Sequence, residues 1–212
     1  MTAAVVFDMD GVIVDSEQVW DDVRETYTDE SGGRYHANAA RAMMGMSAPE
    51  WSRYMSESLG VPGTLEEIND AVVARMLARY GDAPPLIDGA VDAVRAVGDR
   101  FPIAIASSSN PELIEVVLRV TELDQVIAIA VSSQEVARGK PAPDVYIEAA
   151  RRLGVETAAC IAVEDSHNGI RSAKSAGMRV IAVPNPHYPP DDESLALADV
   201  VVESIRGVPA AI

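Results

Sequence analysis

Residues 7–17 of the chain read Phe-Asp-Met-Asp-Gly-Val-Ile-Val-Asp-Ser-Glu, and they directly follow the apolar run Ala-Ala-Val-Val at residues 3–6. Small and β-branched residues in a run of this length are typical of a parallel strand that is covered on both faces. Asp8 and Asp10 therefore stand at the carboxyl end of a buried strand, where α/β proteins place their ligands. Because two neighbouring acids repel each other, this pair predicts a bound metal ion.

Beyond residue 86 the sequence alternates between strand-like and helix-like segments. Apolar runs predict strands over residues 102–106, 126–131, 158–163 and 179–183, with a short edge strand over 198–202. A helix is expected to begin at Asn110, which is followed by proline and glutamate as a cap, first position and first-turn acid. Further helices are expected after Pro143, ending at Gly154, and over residues 167–176. This alternation predicts an α/β fold with a doubly wound parallel sheet.

Residues 16–84 interrupt the alternation. They contain helical patterns near residues 17–30, 38–44, 49–59 and 65–80, with no strand-like run among them. We predict that residues 16–84 form an inserted all-α helical-bundle cap domain, with joints near residues 14–16 and 82–85. The catalytic core then consists of residues 1–15 and 85–212.

Composition excludes several classes of protein. The 212 residues are 48% hydrophobic, which is enough for a substantial core, and no apolar run is long enough to span a membrane. A formal net charge of −16 argues against a nucleic-acid partner, which needs a basic face. Cys160 is the only cysteine and lies in an apolar run, so we expect a buried thiol in the reducing cytoplasm. Because the first strand begins almost at once, we expect no signal peptide, and a monomer is the default.

The acid pair at the first strand suits phosphoryl transfer. Asp8 could attack phosphorus and form an aspartyl-phosphate, which divides a difficult hydrolysis into two easier steps. Asp10, two residues further on, could reach the same ligand as general acid and then as general base. Gly11 allows the tight turn that follows.

Other polar groups stand at the ends of later strands. Ser107 and Ser108 follow the second predicted strand at a helix start, where hydroxyl and backbone N–H groups can hold phosphoryl oxygens. Lys140 lies in a proline-rich turn and could neutralise a transferring phosphoryl group. Glu164 and Asp165 end the next strand and, as hard oxygen ligands without histidine or cysteine, favour Mg²⁺. Each motif alone is common in turns and caps, but together they deliver complementary groups to one edge of the sheet.

These motifs resemble those of the haloacid dehalogenase superfamily, in its branch of phosphatases and phosphomutases with a helical cap. The run from Phe7 to Val12 matches the first family motif and Ser107 the second. Lys140 with the following Pro-Ala-Pro-Asp matches the third motif, and Glu164-Asp165-Ser166 matches the fourth. The similarity extends over nearly the whole chain.

The resemblance implies a function and a division of roles. It implies a Rossmann-like core, Asp8 as nucleophile and Asp10 as acid and base, with a small phosphorylated metabolite as substrate. It also implies Mg²⁺ held by Asp8, the Asp10 backbone carbonyl, Glu164 and Asp165. The run from Asp15 to Trp20 resembles that of sugar-phosphate phosphatases. We expect Trp20 to belong to the core of the cap, or to form a wall over the site and bind substrate, without a catalytic role.

The sequence favours a phosphatase of sugar or polyol phosphates over three rival functions. A β-phosphoglucomutase would carry a histidine where this chain has Trp20, and an arginine where it has Ala48 to hold the second phosphate. A phospho-accepting receiver domain uses similar acids and a lysine but needs no helical insert. An inactive sugar-phosphate binder would not need the intact acid pair.

Overall fold

Six parallel strands form one sheet in the order β3-β2-β1-β4-β5-β6 in the computed structural model, which describes residues 1–81, 83–186 and 189–212. The strands are β1 (Ala4–Phe7), β2 (Ile103–Ser107), β3 (Ile127–Ser132), β4 (Cys160–Glu164), β5 (Arg179–Ala182) and β6 (Val200–Val201). All five pairings are parallel. The chain runs outward from β1 to β3 and then resumes on the other side of β1 with β4, which opens a crevice at the carboxyl ends of β1 and β4.

The central strand β1 is buried on both faces, as its composition predicts. Val5 and Phe7 pack into the apolar layer on one side of the sheet, whereas Ala4 and Val6 pack into the layer on the other. Val6 lies in register with Ala104 of β2 and Ala162 of β4. A short apolar strand of this kind fixes the position of the residue that follows it, which is Asp8.

Ten α-helices lie in the described part of the chain. They are α1 (Glu17–Glu30), α2 (Ala39–Met43), α3 (Ala48–Glu57), α4 (Leu65–Tyr80), α5 (Ala90–Gly98), α6 (Pro111–Val120), α7 (Asp144–Leu153), α8 (His167–Ser175), α9 (Asp192–Leu195) and α10 (Val208–Ala211). The sheet and helices confirm the predicted doubly wound α/β fold. None of these helices combines the length and apolar character needed to cross a membrane.

The first four helices make up the insert between β1 and α5. Helix α4 packs against both α1 and α3, with Val72 and Met76 fully buried. Capping boxes start α3 at Ser47 and α4 at Thr64. The bounds of α1 and α4 are those predicted from the sequence. The limits of the cap as a domain stay a prediction, and Asp82, at its second joint, lies outside the described residues.

The cap of α6 differs in detail from the prediction. Asn110 occupies the N-cap position and Pro111 the first helical position, but the Asn110 side chain makes no capping hydrogen bond. Its Nδ2 instead donates to Asn69 Oδ1 on α4 at 3.0 Å. The Asn110 side-chain amide therefore links the core to the insert, because it donates to α4 and does not cap its own helix.

Candidate active site

The carboxyl ends of β1 and β4 bring three acids and one lysine together. Lys140 Nζ lies 3.0 Å from Asp8 Oδ2 and donates to Glu164 Oε1 at 2.7 Å. Carboxylate oxygens of Asp8, Glu164 and Asp165 all lie within 4.8 Å of one another. All four side chains are buried, and one cation between them leaves an excess of negative charge.

This charge excess alters the protonation of the cluster. Burial, followed by the charge of Glu164, raises the pKa of Asp8 well above its usual value. Burial and the charges of Glu164 and Asp8 likewise raise the pKa of Asp165. Burial alone would lower the pKa of Lys140, but the facing carboxylates of Asp8 and Glu164 outweigh it and raise this pKa. Lys140 is therefore a permanent cation. An additional positive charge nearby would stabilise the ionised forms of Asp8 and Asp165, the two acids whose pKa values are raised.

Glu164 is held by hydrogen bonds to both of its oxygens. Tyr146 Oη donates to Oε1 at 2.6 Å, beside the bond from Lys140. The backbone N–H of Asp165 donates to Oε2 at 3.1 Å, and Ser166 Oγ donates to the same oxygen at 3.3 Å. Tyr146 was not predicted as a site residue. The signal for it is that the hydroxyl of a buried tyrosine needs a hydrogen-bond partner.

Two glycines make room for the acids. A Cβ on Gly11 would lie 1.9 Å from Asp165 Oδ2, and Gly11 also adopts a φ of +75°. A Cβ on Gly169, in the first turn of α8, would lie 1.9 Å from Glu164 Oε2. Gly11 was predicted only as a turn residue and Gly169 was not singled out. Both positions let the backbone approach a carboxylate more closely than any side chain would permit.

Asp10 points into a separate set of donors. Ser16 Oγ and Trp20 Nε1 donate to its Oδ1 at 2.5 and 3.4 Å, and Ser109 Oγ and Ser107 Oγ donate to its Oδ2 at 2.6 and 3.3 Å. Asp10 therefore stands beside Asp8 with its carboxylate oriented by both the core and the insert. Its carboxylate lies outside the group of three acids, and metal binding by its backbone carbonyl stays a prediction.

The predicted phosphate-binding serines occupy different environments. Ser107 is fully buried, and its Oγ accepts from the Ser109 backbone N–H at 3.0 Å while donating to Asp10. Ser108 and Ser109 line the cleft, and Ser108 Oγ donates to the Gly45 carbonyl at 3.4 Å. The structure brings Ser107 and Ser109 to Asp10, although the sequence analysis did not single out Ser109. Direct contact of Ser107 or Ser108 with a substrate stays a prediction.

A cleft between the insert and the sheet opens onto Asp8. The insert contributes Glu17, Trp20, Arg24, Met43, Met44, Gly45, Met46 and Trp51 to its wall, and the core contributes Asp8, Asp10, Ser108, Ser109, Lys140, Asp165 and Ser166. Trp20 lies in this wall, where it was expected. Arg24 and Glu17 were not predicted, although Arg24 is four residues from Trp20 and thus on the same face of α1.

The donor set suits a hard divalent cation. Asp8, Glu164 and Asp165 offer three carboxylate oxygens, and no histidine or cysteine among the described residues joins them, which is the chemistry that Mg²⁺ prefers. The raised pKa values of Asp8 and Asp165 give a physical reason for a cation there, because it would relieve their mutual repulsion. The residues present therefore fit the metal that the motifs imply.

Comparison with known proteins identifies the family of this chain. A family model described as haloacid dehalogenase-like hydrolase matches residues 2–177. Hexitol phosphatase B of Escherichia coli (strain K12) is 32% identical over 213 residues, covering 98% of this chain and 94% of that protein. The probable pseudouridine-5'-phosphatase of Drosophila melanogaster is 31% identical over 222 residues, covering 97% of this chain and 94% of its own length.

A solved structure shares the whole architecture. The crystal structure of CbbY from Rhodobacter sphaeroides in complex with phosphate superposes with a TM-score of 0.85 at 25% identity, covering 97% of this chain and 95% of that one. The likeness includes both the sheet and the inserted helices, because the alignment spans nearly the full length of both chains.

Proposed function

The chain belongs to the haloacid dehalogenase-like hydrolases, and on that premise we propose that it is a Mg²⁺-dependent phosphatase of small sugar or polyol phosphates. The observation that carries the proposal is the position of Asp8, whose buried carboxylate contacts Lys140 and faces a cleft that Asp10 also lines. The phosphatases of hexitol and pseudouridine phosphates among the relatives support this class of substrate.

The proposed reaction has two steps. An Asp8 oxygen attacks phosphorus in line, the bond from phosphorus to the leaving oxygen breaks, and protonated Asp10 gives its proton to that oxygen. Asp10 then takes a proton from water as the water attacks phosphorus, which releases phosphate and restores Asp8. The donors around Asp10 keep its carboxylate in place between the steps. Lys140 holds positive charge against Asp8 and can stabilise charge on the phosphoryl oxygens.

Asp8, Glu164 and Asp165 would hold the Mg²⁺ ion, together with the Asp10 carbonyl. When bound, the ion supplies positive charge that offsets the repulsion between the acids and the phosphate. Glu164 keeps its position through Tyr146 and Lys140, so the protein orients this ligand independently of the metal. We propose that residues 16–84 close over the site as a cap and exclude bulk water.

A mutase is the alternative that the fold leaves open. It would have to hold a second phosphate through the insert, but Ala48, at the position of the mutase arginine, is buried and uncharged. Trp20, at the position of the mutase histidine, donates its indole N–H to Asp10. We therefore favour hydrolysis. Conversion of β-glucose 1-phosphate in the presence of glucose 1,6-bisphosphate, without phosphate release, would support the mutase instead.

Replacement of Asp8 tests the proposal directly. Asp8→Asn keeps the shape of the side chain but removes the nucleophile, so phosphate release from p-nitrophenyl phosphate should fall at least about 10³-fold. Asp15→Asn, at an exposed residue in the same connection, is the matched control and should retain wild-type turnover. Turnover of Asp8→Asn near the wild-type rate would remove the nucleophile assignment. A stable phosphoprotein without turnover in the wild type would indicate a receiver domain.

For the place of action we propose the cytoplasm, because the single cysteine, Cys160, is a buried free thiol. We also propose that the protein acts as a monomer, which is the default expectation from its sequence.

A further inference from the structure

Arg24 is a buried cation in the wall of the cleft that the proposed reaction does not use. It lies on α1 with only 6% of its surface exposed. Its guanidinium carbon stands 4.5 Å from the centre of the Trp20 ring and 5.1 Å from that of Trp51. Both aromatic rings therefore contact the guanidinium group, and Arg24 lines the same cleft as Asp8.

The hydrogen-bonding capacity of Arg24 is not used within the described protein. Its Nε is fully buried and has no hydrogen-bond partner among the described residues. An arginine remains protonated in proteins and carries five N–H donors, and leaving such donors unpaired in a buried site is unfavourable. The terminal guanidinium nitrogens are not among the buried unpartnered atoms, and Arg24 lines the cleft, so a ligand there can accept hydrogen bonds from them.

We propose that Arg24 is a specificity-determining residue that binds hydroxyl oxygens of the substrate's leaving group, and so selects polyhydroxylated monophosphates. This inference rests on the proposed phosphatase function and deepens it. The methionines that line the same wall, Met43, Met44 and Met46, offer apolar contact to the carbon chain of such a substrate.

Charge in the cleft favours neutral hydroxyls over a second phosphate. Among the described lining residues, Arg24 and Lys140 are the two cations, whereas Asp8, Asp10, Glu17 and Asp165 are acids. Lys140 is already paired with Asp8 and Glu164. A second phosphate would therefore meet one cation beside several carboxylates. A hydroxyl can instead accept from Arg24 and donate to a carboxyl oxygen, such as one of Glu17.

The test compares two substrates in matched variants. Both substrates are phosphomonoesters, but their leaving groups differ. The leaving group of a hexitol 6-phosphate carries several hydroxyl groups, whereas that of p-nitrophenyl phosphate is an aromatic ring. In Arg24→Met, the ratio of kcat/KM for the hexitol phosphate to kcat/KM for the aryl phosphate should fall at least tenfold, mainly through KM of the hexitol phosphate. Arg75→Met is the control, because Arg75 also stacks on an aromatic ring of the insert, Tyr27, but does not line this cleft. That variant should leave the ratio unchanged.

A second variant distinguishes a role of Arg24 in substrate binding from a purely structural role. Arg24→Lys keeps a cation beside the two tryptophans but loses the planar set of donors, so the ratio should fall by an intermediate factor. An equal loss for both substrates in both Arg24 variants would overturn the inference and leave Arg24 a structural residue. The inference would also be overturned if the Arg24 variants lost kcat/KM only for a sugar bisphosphate and kept the wild-type ratio between the hexitol phosphate and the aryl phosphate. Failure of the wild type to release phosphate from either substrate would instead refute the proposed phosphatase.

Discussion

Gly169→Ala is the substitution whose outcome depends most directly on the geometry of the acid cluster. Alanine in place of glycine within a helix normally stabilises a protein by about 1 kcal/mol. Here the new Cβ would lie 1.9 Å from Glu164 Oε2, where ordinary contacts exceed 3.4 Å, so the buried carboxylate must move by more than an ångström. That displacement breaks or distorts the bonds from Lys140 and Tyr146 to its other oxygen.

The two effects have opposite signs, and the second is larger. Disrupting a buried ion pair costs about 3–5 kcal/mol, so we expect the free energy of unfolding to fall by about 2–4 kcal/mol after the helical gain is subtracted. Because Glu164 also orients the site, kcat/KM for p-nitrophenyl phosphate should fall about 10²-fold.

Urea unfolding of the metal-free protein and steady-state turnover measure these effects. Ser175→Ala, at an exposed position of the same helix, controls for helix propensity and should leave both quantities near wild type. Adding Glu164→Asp, which shortens the displaced side chain, should partly restore the stability of Gly169→Ala in a double-mutant cycle. A Gly169→Ala protein that is more stable than wild type and fully active would refute the reasoning.

Two further predictions concern charge in the site. Chelation of divalent metal should abolish turnover. Mg²⁺ at 100 times its dissociation constant should stabilise the folded protein by about 2.7 kcal/mol, measured by thermal unfolding. An unchanged Tm on addition of Mg²⁺ would contradict the metal assignment. Burial, followed by the charge of Asp10, raises the pKa of Glu17 from 4.5 to about 7. The folded state thus favours protonated Glu17, so wild type should lose stability relative to Glu17→Gln as pH rises from about 5 to 7. The measurement is urea unfolding of both proteins at several pH values. If the free energy of unfolding changed equally with pH in wild type and Glu17→Gln, the raised pKa of Glu17 would be contradicted.

Much of the fold was predictable because local pattern and global architecture agree. The apolar run before Asp8 forms a strand buried on both faces, and Gly154, where the sequence predicted a helix end, follows α7 in a left-handed conformation. Helices α5, α9 and α10 were not individually predicted. The last two are four residues each, too short for an apolar period to identify them.

The candidate site was predictable in its motifs but not in its contacts. The acids Asp8, Glu164 and Asp165 come together because parallel strands end at one edge of the sheet. By contrast, the hydrogen bond from Tyr146 to Glu164 and the contact of Arg24 with Trp51 depend on packing between distant segments. The sequence spacing that predicts secondary structure does not determine which side chains meet across such an interface.

The indole N–H of Trp20 donates to Asp10, so the first helix of the insert shares a bond with the proposed proton donor. Any swing of that helix away from the sheet would stretch this bond and release one restraint on the acid. In the proposed mechanism, proton delivery would then depend on a closed active site, and a phosphorylated intermediate exposed to solvent would lack a correctly oriented base for its hydrolysis. The enzyme would in this way couple the timing of water activation to enclosure of its substrate.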